Sequence, residues 1–231
     1  MDRISREKLK EQAGIFAGNM PASGMVIGLG SGSTAKYATL RIGERLRSGD
    51  LQDIVAIPSS EETASLATSL GIPLVTFRDC QRIDITIDGA DEVNPRLDLI
   101  KGGGGALLRE KVLAQASLKN IIIVDPSKIS SQLGKHWPVP VEVLRFAVDL
   151  ERIFLADLGA TVKLREAEGE PYLTDEGNYI LDANFGLIHD PERLALSLSQ
   201  RAGIVEHGLF IGLATEVVVA GENGPEVLRR S

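Results

Sequence analysis

Short apolar runs alternate with amphipathic segments along the first half of the chain. The runs are rich in Val and Ile, which suits buried strands, and the segments between them repeat their apolar positions at helical spacing. The predicted strands are residues 25–29, 54–57, 74–77, 83–87, 99–100 and 121–124. The predicted helices are residues 5–19, with Ser5 as N-cap, 34–47, 61–70 and 105–118. This alternation is typical of βαβ units and indicates a mostly parallel sheet covered by helices.

The pattern changes near Trp137, where the regular alternation stops. The following elements are predicted: a possible strand, a helix over 147–158, a strand over 161–164, a hairpin turning at 175–178, and a helix over 191–201 capped by Asp190. We interpret residues 137–207 as a small antiparallel α+β domain. We expect the apolar run 216–220 to return to the first sheet as a buried strand. The predicted fold class is therefore α/β, with one domain formed by residues 1–136 and 208–231 and a smaller one by 137–207.

Composition narrows the classes of function. The chain has 231 residues, of which 43% are hydrophobic and 25% charged, so it can bury a full core. Its formal net charge is -7, and its Lys and Arg residues form no cluster. Binding to nucleic acid needs a concentrated cationic face, so we expect no nucleic-acid partner. No apolar run approaches the roughly 18 residues of a membrane-spanning helix, so we expect no membrane association.

Cys80 is the only cysteine, which rules out an intrachain disulfide and suits a reducing compartment. We expect its thiol to be buried and inert. The charged segment Met1–Glu7 lacks the apolar stretch of a signal peptide. We therefore expect a cytoplasmic protein.

A glycine- and serine-rich loop, within the run from Gly28 to Ala35, follows the first predicted strand. Its glycines let the backbone approach a ligand closely, and the amides at the start of the following helix suit a phosphate. Ser31, Ser33 and Thr34 add hydroxyl donors. Ser33 stands where the dinucleotide fingerprint needs its third glycine, and no Gly-Lys-Ser/Thr ending of a nucleoside-triphosphate loop follows. The alternative interpretation is a capped turn that holds no ligand.

Two carboxylates, Asp88 and Asp91, lie three residues apart after the predicted strand 83–87. Such a pair can bind sugar hydroxyls, exchange their protons or hold a divalent cation. A solvated acidic turn is equally compatible with the sequence. A metal site is less well supported, because the histidines are scattered and this loop alone offers few oxygen ligands. We expect no metal here.

Four consecutive glycines, Gly102 to Gly105, follow Lys101. Such a run costs much conformational entropy on folding, so a purely structural role is hard to defend. We expect it to form an anion-binding nest that leads into the helix carrying Glu110. Helical spacing allows Glu110 to point toward the loops, although an exposed surface glutamate is the alternative. Its neighbours Arg109 and Lys111 are expected to be solvated or structural.

Together these runs resemble the ribose-5-phosphate isomerase family of the A type, over essentially the whole chain. The resemblance rests on Gly30-Ser31-Gly32-Ser33-Thr34, Asp88-Gly89-Ala90-Asp91-Glu92, Lys101-Gly102-Gly103-Gly104-Gly105 followed by Arg109-Glu110-Lys111, Asp125-Pro126-Ser127-Lys128 and Pro138-Val139-Pro140-Val141-Glu142-Val143. It implies interconversion of ribose 5-phosphate and ribulose 5-phosphate in the pentose phosphate pathway. It also implies a Rossmann-like domain, a smaller α+β domain of ferredoxin-like type, no metal or other cofactor, and a homo-oligomer, either a dimer or a tetramer.

The resemblance assigns roles to individual residues. The proton acceptor falls on Glu110, and a metal-free route through a cis-enediol or enediolate would use Lys101 to stabilise the negative oxygen. Asp88 and Asp91 would open the furanose ring and move hydroxyl protons. The implied substrate-contacting residues are Ser31, Gly32, Ser33, Thr34, Gly89, Ala90, Gly102, Gly103, Gly104, Lys128 and Lys10. The sequence departs from the family twice, with Ser31 where threonine is frequent and Gly105 where alanine is common.

Three alternatives remain open at this stage. A sugar-phosphate sensor should carry a DNA-binding segment, of which the acidic chain gives no indication. A sugar-phosphate deaminase or lactonase should place a histidine near the loops, whereas His136, His189 and His207 lie outside them. A nicotinamide-dependent oxidoreductase is disfavoured by Ser33.

Overall fold

The computed structural model describes residues 3–230. Its helices are α1 (Arg3–Gly18), α2 (Ala35–Ser48), α3 (Glu61–Ser69), α4 (Leu107–Ala116), α5 (Val148–Asp157) and α6 (Pro191–Ser199). Its strands are β1 (Val26–Leu29), β2 (Val55–Pro58), β3 (Ile83–Gly89), β4 (Glu92–Val93), β5 (Leu99–Ile100), β6 (Ser117–Val124), β7 (Val139–Val143), β8 (Thr161–Leu164), β9 (Glu166–Ala167), β10 (Glu170–Pro171), β11 (Tyr179–Asn184), β12 (Ile204–His207), β13 (Leu209–Phe210), β14 (Glu216–Val219) and β15 (Glu226–Arg229).

The chain forms two compact units. Unit 1 contains the residues up to Ala90, Arg109–Lys128 and the residues from Leu213 onward. Unit 2 contains Asp91–Leu108 and Ile129–Gly212. The sequence-based boundary placed residues 91–108 in the first domain, whereas their contacts group them with unit 2.

Unit 1 is built on a six-stranded sheet in the order β15-β14-β6-β3-β1-β2. Every neighbouring pair is parallel except β14 with β15. The chain runs from β1 outward to β2 and then returns to β3 on the other side of β1. In open α/β sheets, ligands bind beyond the carboxyl ends of the strands, where the strand order reverses in this way. The loops that follow β1 and β3 therefore lie at the expected binding position.

Small aliphatic side chains fill the core of unit 1. With aromatic residues at only 4% of the chain, Ile, Leu, Val and Ala supply the buried surface. One cluster joins the strands to the first two helices through Ile27, Leu29, Ile85, Ile87, Ile121 and Ile123 from the sheet and Ala13, Ala17, Ala38 and Ile42 from the helices. Alanines on α1 and α2 allow these helices to approach closely, which fixes the start of α2 against the sheet.

Unit 2 contains a four-stranded antiparallel sheet in the order β12-β7-β11-β8. Along the chain its elements follow the order β7-α5-β8-β11-α6-β12, which is the βαββαβ arrangement of ferredoxin-like domains. Val139, Val141 and Val143 of β7 alternate inward and pack with Leu155 and Leu198 of the two helices. The alternation of β7 therefore decides which face of the sheet the helices cover.

Two smaller antiparallel sheets complete unit 2. One has the order β13-β5-β4, and the other is the two-stranded ribbon of β9 and β10. The sequence had placed the apolar pair 99–100 among the strands of the parallel sheet, which is wrong, because β5 pairs antiparallel with β4 and β13. Two apolar residues indicate burial but carry no information about the partner strand.

Most predicted elements form, with local corrections. The final strand returns to the first sheet as expected, since β14 pairs parallel with β6. Asp190 caps α6, because its side chain accepts a hydrogen bond from the amide of Arg193. Helix α1 begins at Arg3, two residues before the predicted start, and the side chain of Ser5, predicted as its N-cap, lies outside the described part of the chain. Within residues 74–77, predicted as a strand, only Leu74 forms a bridge, to Ala56.

Two further boundaries differ. Helix α4 ends at Ala116 and β6 begins at Ser117, four residues before the predicted strand. The predicted turn at 175–178 is present, with the amide of Gly177 bonded to the carbonyl of Thr174. The ribbon of β9 and β10 precedes it and was not predicted.

None of the helices in residues 3–230 is both long and apolar enough to cross a bilayer.

Candidate active site

The two loops at the switch point of unit 1 are held together by their backbone. The amide of Gly30 donates to the carbonyl of Ile87 at 2.9 Å, which extends the β1–β3 pairing past the end of β1. A Cβ atom at Gly30 would lie 2.2 Å from Oδ1 of Asp88, so only glycine allows this approach. The amide of Ser31 then donates to the same Oδ1 at 3.2 Å. Sequence motifs 57 residues apart thus meet at one edge of the sheet.

Asp88 is 2% exposed, so the solvated acidic turn is the wrong interpretation of this residue. Its Oδ1 accepts from the amides of Ser31 and Gly89, the latter at 2.7 Å. Two amide donors fix the carboxylate in one orientation. Asp88 is therefore a rigidly placed acidic group at the end of a central strand.

The Ser31 hydroxyl belongs to a network that the sequence did not reveal. Its Oγ lies 2.7 Å from Oγ of Ser59, 2.8 Å from Oγ of Ser60 and 3.2 Å from Oγ1 of Thr63. Thr63 also donates to the carbonyl of Gly30 at 3.2 Å, which closes the network on the loop itself. Ser59 and Ser60 follow β2 directly. Their place after a strand adjacent to β1 was the available indication of this role.

The remainder of the first loop leads into α2. Gly32 and Ser33 are exposed, and Thr34 occupies the N-cap position of α2. The amide of Lys36 donates to the carbonyl of Gly32 at 3.0 Å, which starts the helical hydrogen bonding. The loop thus precedes a helix N-terminus, the arrangement that binds phosphate groups.

Asp91 begins unit 2 and is held against the glycine run. Its Oδ2 accepts from the amide of Gly103 at 2.7 Å. Its own amide donates to the carbonyl of Ile100 at 2.9 Å. The structure therefore brings together Asp91 and the glycines that the sequence analysis assigned to substrate binding.

Glu92, the next residue, is fully buried and serves the fold. Its two carboxylate oxygens accept from four consecutive backbone amides, those of Gly134, Lys135, His136 and Trp137, at 3.0, 3.1, 3.3 and 3.3 Å. Each oxygen takes two of these donors, so the acceptor capacity of the carboxylate is filled. Glu92 anchors the segment that leads into β7.

Lys101 follows β5 and is only 3% exposed. Its backbone amide donates to the carbonyl of Gly208 at 2.9 Å. Its ammonium nitrogen lies 5.5 Å from the centre of the buried Phe210 ring, a distance at which the ring face attracts a cation. A buried lysine held in this way can present its charge to an anionic oxygen.

The glycine run turns back on itself. The amide of Gly105 donates to the carbonyl of Gly102 at 3.0 Å. Gly105 has a φ of 87°, and a Cβ atom there would lie 2.2 Å from the hydroxyl of Tyr172. Alanine, common at this position in the family that the sequence resembles, would therefore clash beside Tyr172.

Arg165 and Tyr172, both missed by the sequence analysis, hold the carbonyls of this run. Nη1 of Arg165 donates to the carbonyls of Gly102 at 2.8 Å and Gly103 at 3.1 Å. The Tyr172 hydroxyl donates to the carbonyl of Gly104 at 3.3 Å. These contacts join residues more than 60 positions apart, so no local sequence pattern could predict them.

Glu110 lies in α4 and is 5% exposed, so the interpretation as an exposed surface glutamate is wrong. Lys111 is equally buried, which leaves the structural rather than the solvated role for it. Arg109 is partly exposed, and its Nη1 lies 2.8 Å from a carboxylate oxygen of Glu61. Two buried charged residues in one turn are unusual for a surface helix and typical of a functional or paired position.

The two outlying lysines lie in unit 1. Lys128 ends the 3-10 turn Pro126–Lys128, and its amide donates to the carbonyl of Asp125 at 3.1 Å. Lys10 lies in α1, where its ammonium nitrogen is 3.5 Å from a carboxylate oxygen of Glu7. Both side chains are partly exposed.

The predicted site residues are divided between the units. Unit 1 contains Lys10, Ser31 to Thr34, Asp88 to Ala90, Glu110 and Lys128, and unit 2 contains Asp91 and Lys101 to Gly104. The Cys80 thiol was predicted to be buried, but the structure shows it half-buried. Across residues 3–230, no three His, Cys, Asp or Glu side chains form a group that could hold a metal ion.

A comparison with protein families identifies the chain. The model described as Ribose 5-phosphate isomerase A (phosphoriboisomerase A) matches residues 55–224, which is more than half of the sequence. The chain belongs to the ribose 5-phosphate isomerase A family. The resemblance predicted from the sequence motifs is thereby confirmed.

Individual members of the family are similar along their whole length. The chain is 56% identical over 225 residues to ribose-5-phosphate isomerase A of Chloroflexus aurantiacus, covering 97% of this chain and 94% of that protein. A solved D-ribose-5-phosphate isomerase in complex with phospho-erythronic acid is 37% identical, with a TM-score of 0.95 and full coverage of both chains. The Plasmodium falciparum ribose 5-phosphate isomerase is 39% identical, with a TM-score of 0.94 over 97% of this chain and 99% of that one.

Membership of the ribose 5-phosphate isomerase A family bears on the earlier predictions. The mixed α/β fold with a mostly parallel central sheet and additional antiparallel sheets is confirmed. The sensor, the deaminase or lactonase and the oxidoreductase were alternatives from other families, and the family match decides against them.

Proposed function

We propose that this chain interconverts D-ribose 5-phosphate and D-ribulose 5-phosphate, the aldose–ketose isomerisation of the pentose phosphate pathway. The observation that carries the proposal is the identity of 56% over 97% of the chain to a protein named ribose-5-phosphate isomerase A. The buried positions of Asp88, Lys101 and Glu110, three charged residues that the sequence motifs assigned to catalysis, support it independently.

We further propose that Glu110 transfers the proton between C1 and C2 of the sugar through a cis-enediol or enediolate. The carbon acid is very weak, so the base must be well placed and the charge that develops must be stabilised. The low exposure of Glu110 supports this role, because bulk water then competes poorly for the proton that the carboxylate carries. The same carboxylate can return that proton to the neighbouring carbon.

Lys101 is proposed to stabilise the negative oxygen of the enediolate, assisted by the amides of Gly102 and Gly104, since that of Gly103 donates to Asp91. Its support is the buried ammonium group, since a cation removed from water interacts more strongly with an anion. The Phe210 ring beside it adds attraction without competing for a hydrogen bond.

Asp88 and Asp91 are proposed to open the furanose ring and to move protons between hydroxyl oxygens. Both carboxylates are held by backbone amides, which fixes their direction before substrate binds. Separate substitutions of Asp88 and Asp91 would show which residue opens the ring and which moves the hydroxyl protons. Gly89 and Ala90, between them, are proposed to contact the sugar through their backbone.

The loop Ser31 to Thr34, with Lys128 and Lys10, is proposed to bind the phosphate. The start of α2 supplies amides and a partial positive charge, and Ser31 to Thr34 add hydroxyl groups. Anchoring of the phosphate orients the reacting carbons, which is the larger part of its contribution to rate.

The test of the reaction is a spectrophotometric assay with ribose 5-phosphate, followed by turnover in D₂O. Proton transfer through an enediol should place some deuterium at the reacting carbon, whereas a direct hydride shift would place none. Activity should survive exhaustive chelation, and phospho-erythronic acid, the ligand of one solved relative, should inhibit competitively. Absence of turnover with either pentose phosphate would overturn the proposal.

We also propose that the chain works as a homodimer joined through an apolar face of unit 2. Phe146, Leu150 and Ile153 are spaced along one side of α5 and its preceding turn, and Phe146 is fully exposed at 101%. Exposed apolar faces of this kind mark association surfaces, and a second copy can cover the face by pairing it with itself. The exposed charges of Asp149 and Arg152 on the same helix allow reciprocal ion pairs across a two-fold axis.

Sedimentation equilibrium tests this dimer. Phe146→Asp should convert it to a monomer, whereas Leu196→Asp, at an equally apolar exposed position on α6, should not. A monomeric wild-type chain at micromolar concentration would overturn the proposal, and a tetramer would require a second interface. A cytoplasmic location is proposed as well, supported by the single cysteine and tested by cell fractionation.

A further inference from the structure

The guanidinium of Arg165 joins a strand carboxylate to the glycine run. Its Nε donates to Oδ2 of Asp182 at 3.0 Å, and its Nη2 donates to Oδ1 of the same carboxylate. Its Nη1 donates to the carbonyls of Gly102 and Gly103. These four hydrogen bonds connect β11 to the loop, and the arginine side chain is only 14% exposed.

The backbone of Arg165 is fixed as well. Its amide donates to the carbonyl of Ile180 at 2.8 Å, and its carbonyl accepts from the amide of Tyr172 at 2.9 Å. The guanidinium therefore projects from backbone that is held by bonds outside the glycine run, and Asp182 binds its other edge.

A hydrogen bond to a peptide carbonyl also sets the direction of the amide in the same peptide unit. A trans peptide is planar, so its C=O and N–H groups point in opposite directions. No cis peptide occurs in the described part of the chain, residues 3–230. The bond from Arg165 to the carbonyl of Gly102 therefore directs the amide of Gly103 away from Arg165, where it donates to Asp91 at 2.7 Å. The bond to the carbonyl of Gly103 directs the amide of Gly104 in the same manner.

We propose that Arg165, held by Asp182, is a positioning residue for the isomerisation. It acts through the carbonyls of Gly102 and Gly103, and so orients the Asp91 carboxylate and the amide of Gly104. This inference rests on the proposed function, in which Asp91 and the amides of the run act on the oxygens of the sugar. A carbonyl that accepts from a cation also makes its own peptide amide a stronger donor, which favours binding of a negative oxygen.

Only arginine fits this position. The planar guanidinium offers donors in a fixed fork, so one side chain can bind a carboxylate on one edge and two carbonyls on another. A lysine ammonium is a point charge that cannot reach both groups in fixed directions. Arg165→Lys should therefore keep the charge and lose most of the positioning.

The test compares Arg165→Met with Arg201→Met in the intact chain. Arg201 is a matched control, because it makes a two-point ion pair with Glu151 in the same unit, at 3.0 and 3.1 Å, and lies outside the proposed catalytic groups. Steady-state kinetics with ribose 5-phosphate give kcat and KM, and circular dichroism gives Tm. For Arg165→Met we expect kcat to fall on the order of 10- to 100-fold with a smaller change in KM, because a small misplacement of catalytic groups is costly. For Arg201→Met we expect a lower Tm and little change in kcat.

A fall in kcat of more than about threefold in Arg165→Met that Arg201→Met does not share supports the positioning role. A smaller fall, or an equal fall in the control, overturns it and leaves Arg165 a structural residue. Should Arg165→Met be insoluble, Arg165→Lys decides by the same criterion. Failure of the wild-type chain to turn over ribose 5-phosphate would instead count against the proposed function, so the two failures are distinct.

Discussion

Among the residues that the structure describes, four buried glutamates are divided between the two units. Glu110 lies in α4 of unit 1, whereas Glu92, Glu142 and Glu151 lie in unit 2. Their exposures are 5%, 0%, 1% and 1%, so burial alone does not distinguish them. A carboxylate is seldom buried without strong compensation, and each of the four therefore needs its own explanation.

In unit 2, hydrogen bonds and an ion pair compensate for the burial of the three carboxylates. Glu92 accepts four backbone amides, and Glu151 makes a two-point pair with Arg201. Glu142 accepts from Oγ1 of Thr174 and Nδ2 of Asn178, both at 2.9 Å. These carboxylates each tie together segments distant in sequence.

The three carboxylates of unit 2 have partners that explain their burial by a structural role, whereas burial itself is common to all four. Glu92 has its acceptor capacity filled by the backbone, so it has no place for a proton taken from a substrate. Glu110 lies within Arg109-Glu110-Lys111, one of the runs on which the family resemblance rests, and it is the proposed base. The same isosteric change, glutamate to glutamine, should therefore give three different results at positions 110, 92 and 142.

The largest effect is expected at Glu110. Glu110→Gln keeps the shape and removes the basic oxygen, so kcat should fall by roughly 10²- to 10⁴-fold. The Tm should stay close to that of the wild type, because a buried charge is replaced by a neutral group of equal size. Kinetics with ribose 5-phosphate and thermal circular dichroism measure the two quantities.

The control for this change is Glu62→Gln, which alters an exposed glutamate of α3 in the same unit. It should leave both kcat and Tm unchanged. A fall of less than about threefold in Glu110→Gln would remove Glu110 from the role of base. The four buried glutamates would then no longer differ in function.

At Glu92 the expected effect is on stability. Glu92→Gln places an NH₂ group opposite two backbone amides, which leaves those donors without an acceptor. The free energy of unfolding should fall by roughly 2 kcal/mol. Urea denaturation measures it, and activity per folded molecule should change little. An unchanged unfolding midpoint would mean that water replaces the carboxylate at no cost.

Sequence patterns predicted the parts of the fold that depend on local periodicity. The strands and helices of unit 1 follow from apolar runs and helical spacing, and the return of β14 follows from its apolar character. The partner of β5 did not follow, because two apolar residues fit any buried sheet. Residues 74–77 did not form a strand, because their pairing with β2 is limited to the bridge between Leu74 and Ala56, and β propensity does not determine how far a pairing extends.

Some residues of the candidate site were likewise predictable from the sequence, and others were not. Gly30 was predictable, because a glycine directly after a strand indicates a close approach. Asp88, at the end of β3, and Asp91, just beyond it, were predictable from their position at the carboxyl end of that strand. The Ser59 and Arg165 contacts were not predictable, because each depends on tertiary pairing of distant segments. The burial of Glu110 could not be decided from the sequence pattern, because helical spacing allowed the side chain to point toward the loops and equally allowed an exposed surface glutamate.

The smallest effect is expected at Glu142, and it has the opposite sign to that at Glu92. Burial raises the pKa of Glu142 above its ordinary value of 4.5, opposed by the hydrogen bonds from Asn178 and Thr174 and reinforced by Glu176 and Glu206. The folded state therefore binds the proton more tightly than the unfolded state. As the pH rises from 4.5 through the raised pKa, the charged carboxylate makes the folded state less stable.

Glu142→Gln removes this penalty and keeps an acceptor for Thr174 and Asn178. The variant should be more stable than the wild type at neutral pH, by on the order of 1 kcal/mol or less. The gain should disappear below about pH 4.5, where Glu142 is protonated in both the folded and the unfolded chain. Urea denaturation of both proteins across this pH range measures the difference. A gain that does not depend on pH would show that charge at Glu142 is not the cause, and a loss at neutral pH would place Glu142 with Glu92 as a carboxylate whose charge the fold requires.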